Sequence, residues 1–122
     1  MKLISRSKSD SESVKNRIII VGACNNLKKL SSYSNNGADI DIVAPGDNIN
    51  SLIINDEYEF MSGTSMATPF VSATAALIFS INPDLTGADV KNIIISSSTE
   101  SIGYQDYNYP LLNIKNALDN TK

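Results

Sequence analysis

The sequence predicts an α/β fold in which a mainly parallel sheet packs against a long apolar helix. A β-branched run at residues 18–21, closed by Gly22, is typical of a strand buried on both faces, as in parallel sheets. Residues 60–83 carry no charge and contain a long helical pattern, and further helical patterns follow it. Strands first and helices after them predict part of an α/β sandwich.

Length and composition limit the chain to one small globular domain. The 122 residues can form a single core, and 42% hydrophobic with 19% charged residues is ordinary for a globular protein. The formal net charge of -3 argues against a nucleic acid as a partner. Residues 1–16 are polar and serine-rich and are expected to be disordered or peripheral, so residues 17–122 are expected to carry the domain.

Turn residues divide the first half of the domain into strands. After the strand at residues 18–21, a second strand is predicted at residues 40–43, because Pro45 and Gly46 then stop the extended pattern. Two further extended pieces, at residues 49–54 and 58–61, flank a polar turn and predict a hairpin.

Three helices are predicted after the strands. The first begins near Ser65 and ends before Pro83, and it is apolar around nearly its whole circumference. We therefore expect this helix to run through the interior and to be buried on all sides. Thr86 and Asp89 resemble a capping box that opens the second helix. Asn113 is predicted to cap a short last helix.

Neither a membrane span nor a secretory signal is predicted. Pro69 and scattered hydroxyl residues leave only residues 70–81 as a continuous helical pattern, which is too short to cross a bilayer. Residues 1–13 contain no apolar stretch of the length that a secretory signal needs. The chain as written is therefore expected to stay in the cytoplasm.

A candidate nucleophile, Ser65, lies at the start of the predicted central helix. Free backbone N–H groups and the positive end of the helix dipole favour a developing negative charge there, which suits an acyl-transfer nucleophile. Gly63 would allow a tight turn into the helix. Spacing alone leaves a second interpretation open, because hydroxyl residues before a helix more often serve as caps.

The stretch GTSMATP, residues 63–69, resembles the nucleophile motif of the subtilisin-like serine peptidases, the subtilases. Further blocks resemble the family's blocks in its order: IVGA at 20–23, SYS at 32–34, DIVAPG at 41–46 and LN at 112–113. On these motifs the chain is identified as a member of the family, spanning the carboxy-terminal part of the catalytic domain. The resemblance implies a partial three-layer α/β/α sandwich with a mainly parallel sheet and a buried central helix. An unrelated domain in which Ser65 only caps a helix conflicts with the ordered blocks.

The resemblance also implies a function, a serine endopeptidase that cleaves polypeptides through an acyl-enzyme and needs no cofactor. Ser65 would be the nucleophile, and its own N–H group would donate to the oxyanion. Thr64 and Gly63 would support this oxyanion site. Met66 would pack beside the nucleophile, with plain core packing as an equal alternative.

The chain contains no histidine, whereas a serine hydroxyl needs an adjacent general base. In the family, the catalytic aspartate, the histidine and the oxyanion asparagine lie upstream of the strand that matches residues 18–23, and residues 1–17 resemble none of those blocks. Lys28, Lys29 and Lys91 are candidates for a replacement base, although solvated surface lysines are the favoured interpretation.

Two functional hypotheses remain open for such a chain. In the first, the separate chain is inactive until another polypeptide, the missing amino-terminal half of the peptidase domain, supplies the other groups. In the second, the chain is a non-catalytic interaction module that keeps the fold and binds a protein partner.

A cation site is a further candidate. Asp39 and Asp41 alternate on the predicted strand and could offer two carboxylates to a hard cation, although two solvated acids are the favoured interpretation. Related subtilases carry a weak Ca or K/Na site at this block, completed by carbonyl groups of a loop that here is 24–30. Lys28 and Lys29 are close enough in sequence to compete for the carboxylates.

Overall fold

The computed structural model describes residues 2–4, 18–34, 37–47, 49–52, 58–61 and 63–122. Their secondary structure follows the order β1 (Lys2–Ile4), β2 (Ile18–Cys24), β3 (Ile42–Pro45), β4 (Ile49–Leu52), β5 (Tyr58–Met61), α1 (Thr64–Ile81), α2 (Gly87–Ser96), β6 (Ser101–Tyr104), β7 (Tyr107–Pro110) and α3 (Ile114–Asp119).

A three-stranded parallel sheet in the order β1-β2-β3 forms the centre of the fold. The central strand β2 is buried along almost its whole length, as its β-branched run predicts. Its side chains alternate between two cores. Ile19 and Val21 face α1, whereas Ile20 and Cys24 pack with the β6–β7 hairpin on the other side of the sheet. The prediction of an α/β fold with a parallel sheet is confirmed.

The strand β1 lies inside residues 1–16, which the sequence predicted to be disordered or peripheral. Lys2 aligns with Ile18 and Ile4 with Ile20 in a parallel ladder at one edge of the sheet, so residues 2–4 are an ordered, peripheral strand. The rest of that segment lies outside the described residues. Hydrogen bonds along β2 hold this strand in place, although its own composition gives little strand signal.

The helix α1 packs on the sheet by one face only. Its buried side chains share one stripe that faces β2 and β3: Ala67, Val71, Thr74, Ala75 and Ile78. Leu77 and Ile81 lie outside this stripe and are 46% and 40% exposed. The expectation that α1 is buried on all sides is therefore not met among the described residues.

By length and composition, α1 is the one helix among the described residues that could cross a membrane. Core helices of water-soluble folds meet the same criteria, and α1 buries one face on the sheet and on α2 and α3. The absence of a membrane span therefore stays a prediction.

Two hairpins complete the strands. The predicted pairing of β4 with β5 is confirmed, with Ile49 opposite Met61 and Leu52 opposite Tyr58. The hairpin of β6 and β7 was not predicted. Its turn contains Gln105 at a φ of 53°, a left-handed conformation that glycine or asparagine usually takes, so the sequence carries no common turn signal.

Both predicted helix caps are present. The Asp89 N–H group donates to Thr86 Oγ1 at 3.1 Å, and the Thr86 N–H group donates to Asp89 Oδ2 at 2.9 Å. This capping box opens α2. The hydrogen bonds from Thr86 lower the pKa of Asp89 below its usual value. Asn113 caps α3 by accepting a hydrogen bond from the Asn116 N–H group at 3.0 Å.

Candidate active site

Ser65 is exposed in the first turn of α1, one residue after the helix begins. The cap residue is Gly63, which has no side chain to donate or accept, and α1 has no side-chain cap hydrogen bond. Ser65 therefore does not cap the helix, and its hydroxyl group is accessible where helix N–H groups and the helix dipole favour negative charge. The φ of Gly63 is 155°, a value that L side chains rarely adopt.

A chain of backbone hydrogen bonds holds this turn against the sheet. The Gly63 N–H group donates to Gly46 O at 2.9 Å, and the Gly46 N–H group donates to Cys24 O at 3.0 Å. Cys24 and Pro45 are the last residues of β2 and β3. Ser65 is therefore placed at the carboxyl ends of parallel strands, where binding sites of α/β sheets are usually formed.

Gly46 allows an unusually close approach between the strand ends and the turn. A Cβ atom built on Gly46 would lie 2.8 Å from Ala23 Cβ and 2.8 Å from Gly63 O. Real Cβ atoms essentially never make contacts this short, so a side chain here would displace the turn before Ser65. Gly46 was predicted to end the strand, and its lack of a side chain also allows this close packing.

The residues predicted to support the oxyanion lie next to Ser65. Thr64 is the first residue of α1, and its carbonyl group accepts a hydrogen bond from Thr68 Oγ1 at 3.1 Å. The Met66 N–H group donates to Gly63 O at 2.9 Å, which closes the turn. Thr64 and Met66 are partly buried. The role of Met66 remains a choice between packing and lining the site.

Two of the three lysines considered as replacement bases, Lys28 and Lys91, have carboxylate partners. Lys28 Nζ lies 2.7 Å from Glu100 Oε2, and both side chains are largely exposed. Lys91 Nζ lies 3.4 Å from Asp41 Oδ2. Its side chain is only 14% exposed, so the interpretation of Lys91 as a solvated surface lysine is wrong. Both ammonium groups are therefore held against carboxylates.

Asp39 and Asp41 do not alternate on a strand, because β3 begins at Ile42. Asp41 Oδ2 accepts a hydrogen bond from the Ile20 N–H group at 2.9 Å in addition to its contact with Lys91. Among the residues described, no group of three or more histidine, cysteine, aspartate or glutamate side chains is arranged to hold a metal ion. This pair fits a cation poorly, because an ammonium group already occupies the Asp41 carboxylate.

A polar cluster beside the turn was missed at the sequence level. Tyr33 Oη donates a hydrogen bond to Asp47 Oδ1, and Ser31 Oγ donates to the same oxygen at 3.1 Å. Burial raises the pKa of Tyr33 above its usual value, and the Asp47 carboxylate raises it further. Tyr33 belongs to one of the blocks that carry the family resemblance, but nothing in the sequence pairs it with Asp47.

Comparison with known proteins extends these observations. Residues 4–115 match the sequence profile described as the Subtilase family. The chain is 38% identical over 99 residues to subtilisin from Bacillus pumilus, a match covering 81% of this chain and 36% of that protein. It is also 38% identical over 104 residues to the cell wall-associated protease of Bacillus subtilis (strain 168), covering 77% of this chain and 12% of that protein.

Solved structures share the fold. A cold adapted subtilisin-like serine proteinase superposes with a TM-score of 0.75 at 33% identity, covering 84% of this chain and 38% of that one. The prenylagaramide maturation protease PagA superposes with a TM-score of 0.72 at 30% identity, and the match covers 86% of this chain and 42% of that one. The chain thus spans less than half the length of these relatives. The profile match extends over nearly the whole chain, and on this ground the chain belongs to the subtilase family.

Proposed function

We propose that this chain carries the nucleophile of a subtilisin-like serine endopeptidase, and that Ser65 is that nucleophile. The observation that carries the proposal is the GTSMATP motif placed on an exposed, uncapped first helical turn at the carboxyl ends of β2 and β3. The substrate class is a polypeptide, in line with the relatives that are named proteases.

In this proposal the general base takes the hydroxyl proton as Ser65 Oγ attacks a peptide carbonyl carbon. It then gives that proton to the leaving amine as the C–N bond breaks and the acyl-enzyme forms. The Ser65 N–H group donates to the oxyanion. Gly63 and Thr64 fix the direction of that N–H group, because they set the entry of the chain into α1. Met66 packs behind the nucleophile.

The general base has to come from residues outside this sequence, since the chain has no histidine. The relatives are more than twice as long as the matched region, and this leaves room in them for a base and its aspartate partner. We infer that the 122 residues alone are inactive and that an amino-terminal subtilase segment restores activity. Removing the base of such a triad lowers the catalytic rate by several powers of ten.

Labelling by a fluorophosphonate probe tests this proposal. The isolated chain should label no faster than its Ser65→Ala variant. The chain completed by the amino-terminal segment of Bacillus pumilus subtilisin, joined or co-expressed, should label at Ser65 and cleave a peptide substrate, and Ser65→Ala should abolish both. Rapid labelling of the isolated chain would contradict the need for a second segment. A folded completed protein that never labels at Ser65 would contradict the nucleophile assignment.

A second candidate, a non-catalytic module that binds a protein partner, is favoured by one observation, the exposed uncharged face of α1. Such a module would bind its partner equally well with Ser65→Ala. It would also bind without any gain in labelling at Ser65. The completed-protein experiment therefore separates the two functions.

A further inference from the structure

Three separate segments of the chain meet at the start of α1. Gly63 docks on Gly46 through the hydrogen bond from its N–H group, and Asp47 follows directly after Gly46. The Asp47 carboxylate in turn accepts hydrogen bonds from Tyr33 and from Ser31, in the loop after β2. The turn before the nucleophile is therefore linked to that loop through only two intervening residues.

The Tyr33 hydroxyl group packs against the same peptide as the nucleophile turn. A Cβ atom built on Gly46 would lie 3.2 Å from Tyr33 Oη and 2.8 Å from Gly63 O. Both oxygens thus border the same side of Gly46. A shift of the Tyr33 ring or of residue 47 would change the position of Gly46, and Gly46 has no free space in which to absorb it.

We propose that Tyr33 and Asp47 are positioning residues for Ser65. They hold Gly46 in place, Gly46 holds Gly63, and Gly63 sets the direction in which Ser65 leaves the turn. Neither residue needs to touch the substrate. The inference rests on the proposed role of Ser65 as the nucleophile.

The size of the effect follows from how strongly rates depend on alignment. A misplacement of about 1 Å lowers an enzymatic rate on the order of 100-fold. Loss of one hydrogen bond two residues away displaces the turn by less, so we expect about a 10-fold loss in kcat. KM should change little, because the ground-state contacts of the substrate are kept.

The experiment uses the completed protein and two disrupting variants, Tyr33→Phe and Asp47→Ala. Both should lower kcat to a similar degree, and the double variant should be no worse than either single one, because they break the same link. Asp47→Asn keeps an acceptor oxygen and should stay close to the parent. Tyr107→Phe is the matched control, since Tyr107 is a comparably exposed tyrosine on the distant β7 strand.

Hydrogen exchange supplies a readout that does not depend on catalysis. The Gly63 amide should exchange several-fold faster in Tyr33→Phe and in Asp47→Ala, and at the parent rate in Tyr107→Phe. If the parent completed protein is inactive, the proposed function fails, and exchange at Gly63 still decides the positioning role.

Two results would overturn the inference. One is an unchanged Gly63 exchange rate in both disrupting variants. The other is a loss of kcat in Tyr33→Phe that Tyr107→Phe matches. If Tyr33→Phe lowers folding as a whole, Ser31→Ala gives a second test, because it removes the other hydrogen bond to Asp47 without altering the ring.

Discussion

The two sides of α1 differ in burial. Val71 and Ile78 are fully buried against the sheet, whereas Leu77 and Ile81, which lie outside the buried stripe, are 46% and 40% exposed. No charged residue lies on either side. A helix side that faces water normally carries polar and charged residues. Next to the exposed serines of α1, Leu77 and Ile81 therefore form an exposed apolar patch, here called the open face.

The covered side, by contrast, is completed by the chain's own residues. Here α1 packs against the sheet and against α2 and α3, and a capping box closes the start of α2. The Asp41–Lys91 ion pair ties α2 to the start of β3. The described residues thus bury one side of α1 and leave Leu77 and Ile81 partly exposed on another.

Shortening a buried side chain of α1 should have the largest effect on stability. Ile78→Ala is expected to lower the free energy of unfolding by about 2–5 kcal/mol, because it leaves a cavity between α1 and the sheet. Leu77→Ala is the matched control and should cost less than about 1 kcal/mol in the isolated chain, since nearly half of that side chain is already exposed. Urea unfolding followed by circular dichroism measures both. Equal losses would mean that the two faces do not differ.

Polar substitutions on the open face should weaken binding to other molecules more than they change the fold of the isolated chain. We expect the isolated parent to bind a hydrophobic dye, because exposed apolar faces favour association. The double variant Leu77→Ser with Ile81→Ser should bind less dye. It should also bind the amino-terminal segment at least 10-fold more weakly, since burying one such side chain contributes about 1.5–3 kcal/mol. An isolated parent that binds no dye would contradict this expectation.

Removal of the cap at α2 should produce a smaller loss. Thr86→Ala is expected to lower the free energy of unfolding by about 1 kcal/mol, because it removes the acceptor for the Asp89 N–H group. Ser96→Ala, in the exposed last turn of the same helix, serves as a control. A loss of the same size in Ser96→Ala would point to a general effect on α2 instead.

The same cap gives a pH dependence of defined sign. The folded-state pKa of Asp89 lies below its unfolded value, so its contribution to stability is present above about pH 4 and is lost as the pH falls through the folded pKa. Unfolding curves of parent and Asp89→Asn should therefore converge as the pH is lowered from 6 toward 2. If the two curves stayed parallel across this pH range, Asp89 would not have a lowered pKa in the folded state.

The smallest effect concerns cations. Because Lys91 already supplies a positive charge to Asp41, calcium or potassium at fixed ionic strength should not shift the melting of the parent. In Lys91→Met the Asp41 carboxylate loses its ammonium partner, and added cation should recover about 1 kcal/mol at roughly five times its Kd. Asp41→Asn should show no response. A cation response in the parent that Asp41→Asn abolishes would restore a metal site at Asp39 and Asp41.

The sequence predicted the elements whose signals are local. Strand β2 and helix α1 follow from runs of apolar residues, and the cap at Thr86 follows from two residues three positions apart. Strand β1 was missed because tertiary pairing with β2, not composition, keeps it extended. The β6–β7 hairpin was missed because Gln105 occupies a left-handed position that sequence rules assign to glycine or asparagine.

The same distinction holds at the candidate site. Ser65 and its neighbours form one continuous motif and could be found without the structure. The Tyr33–Asp47 and Lys91–Asp41 pairs join residues 14 and 50 positions apart, as their residue numbers show, and at least one residue of each pair lies outside the helices and strands. Such long-range pairs depend on the path of the loops, which single-sequence periodicity does not report.

The close contacts of Gly46 connect the ends of β2 and β3 to the turn before Ser65. Ala23 and Gly63 both border the position that a side chain at Gly46 would fill, so only glycine fits there without displacing a neighbour. A mutation that moved the end of β3 would therefore also be expected to move Gly63, and with it the start of α1. The orientation of the Ser65 hydroxyl group thus depends on the sheet as well as on its own helix.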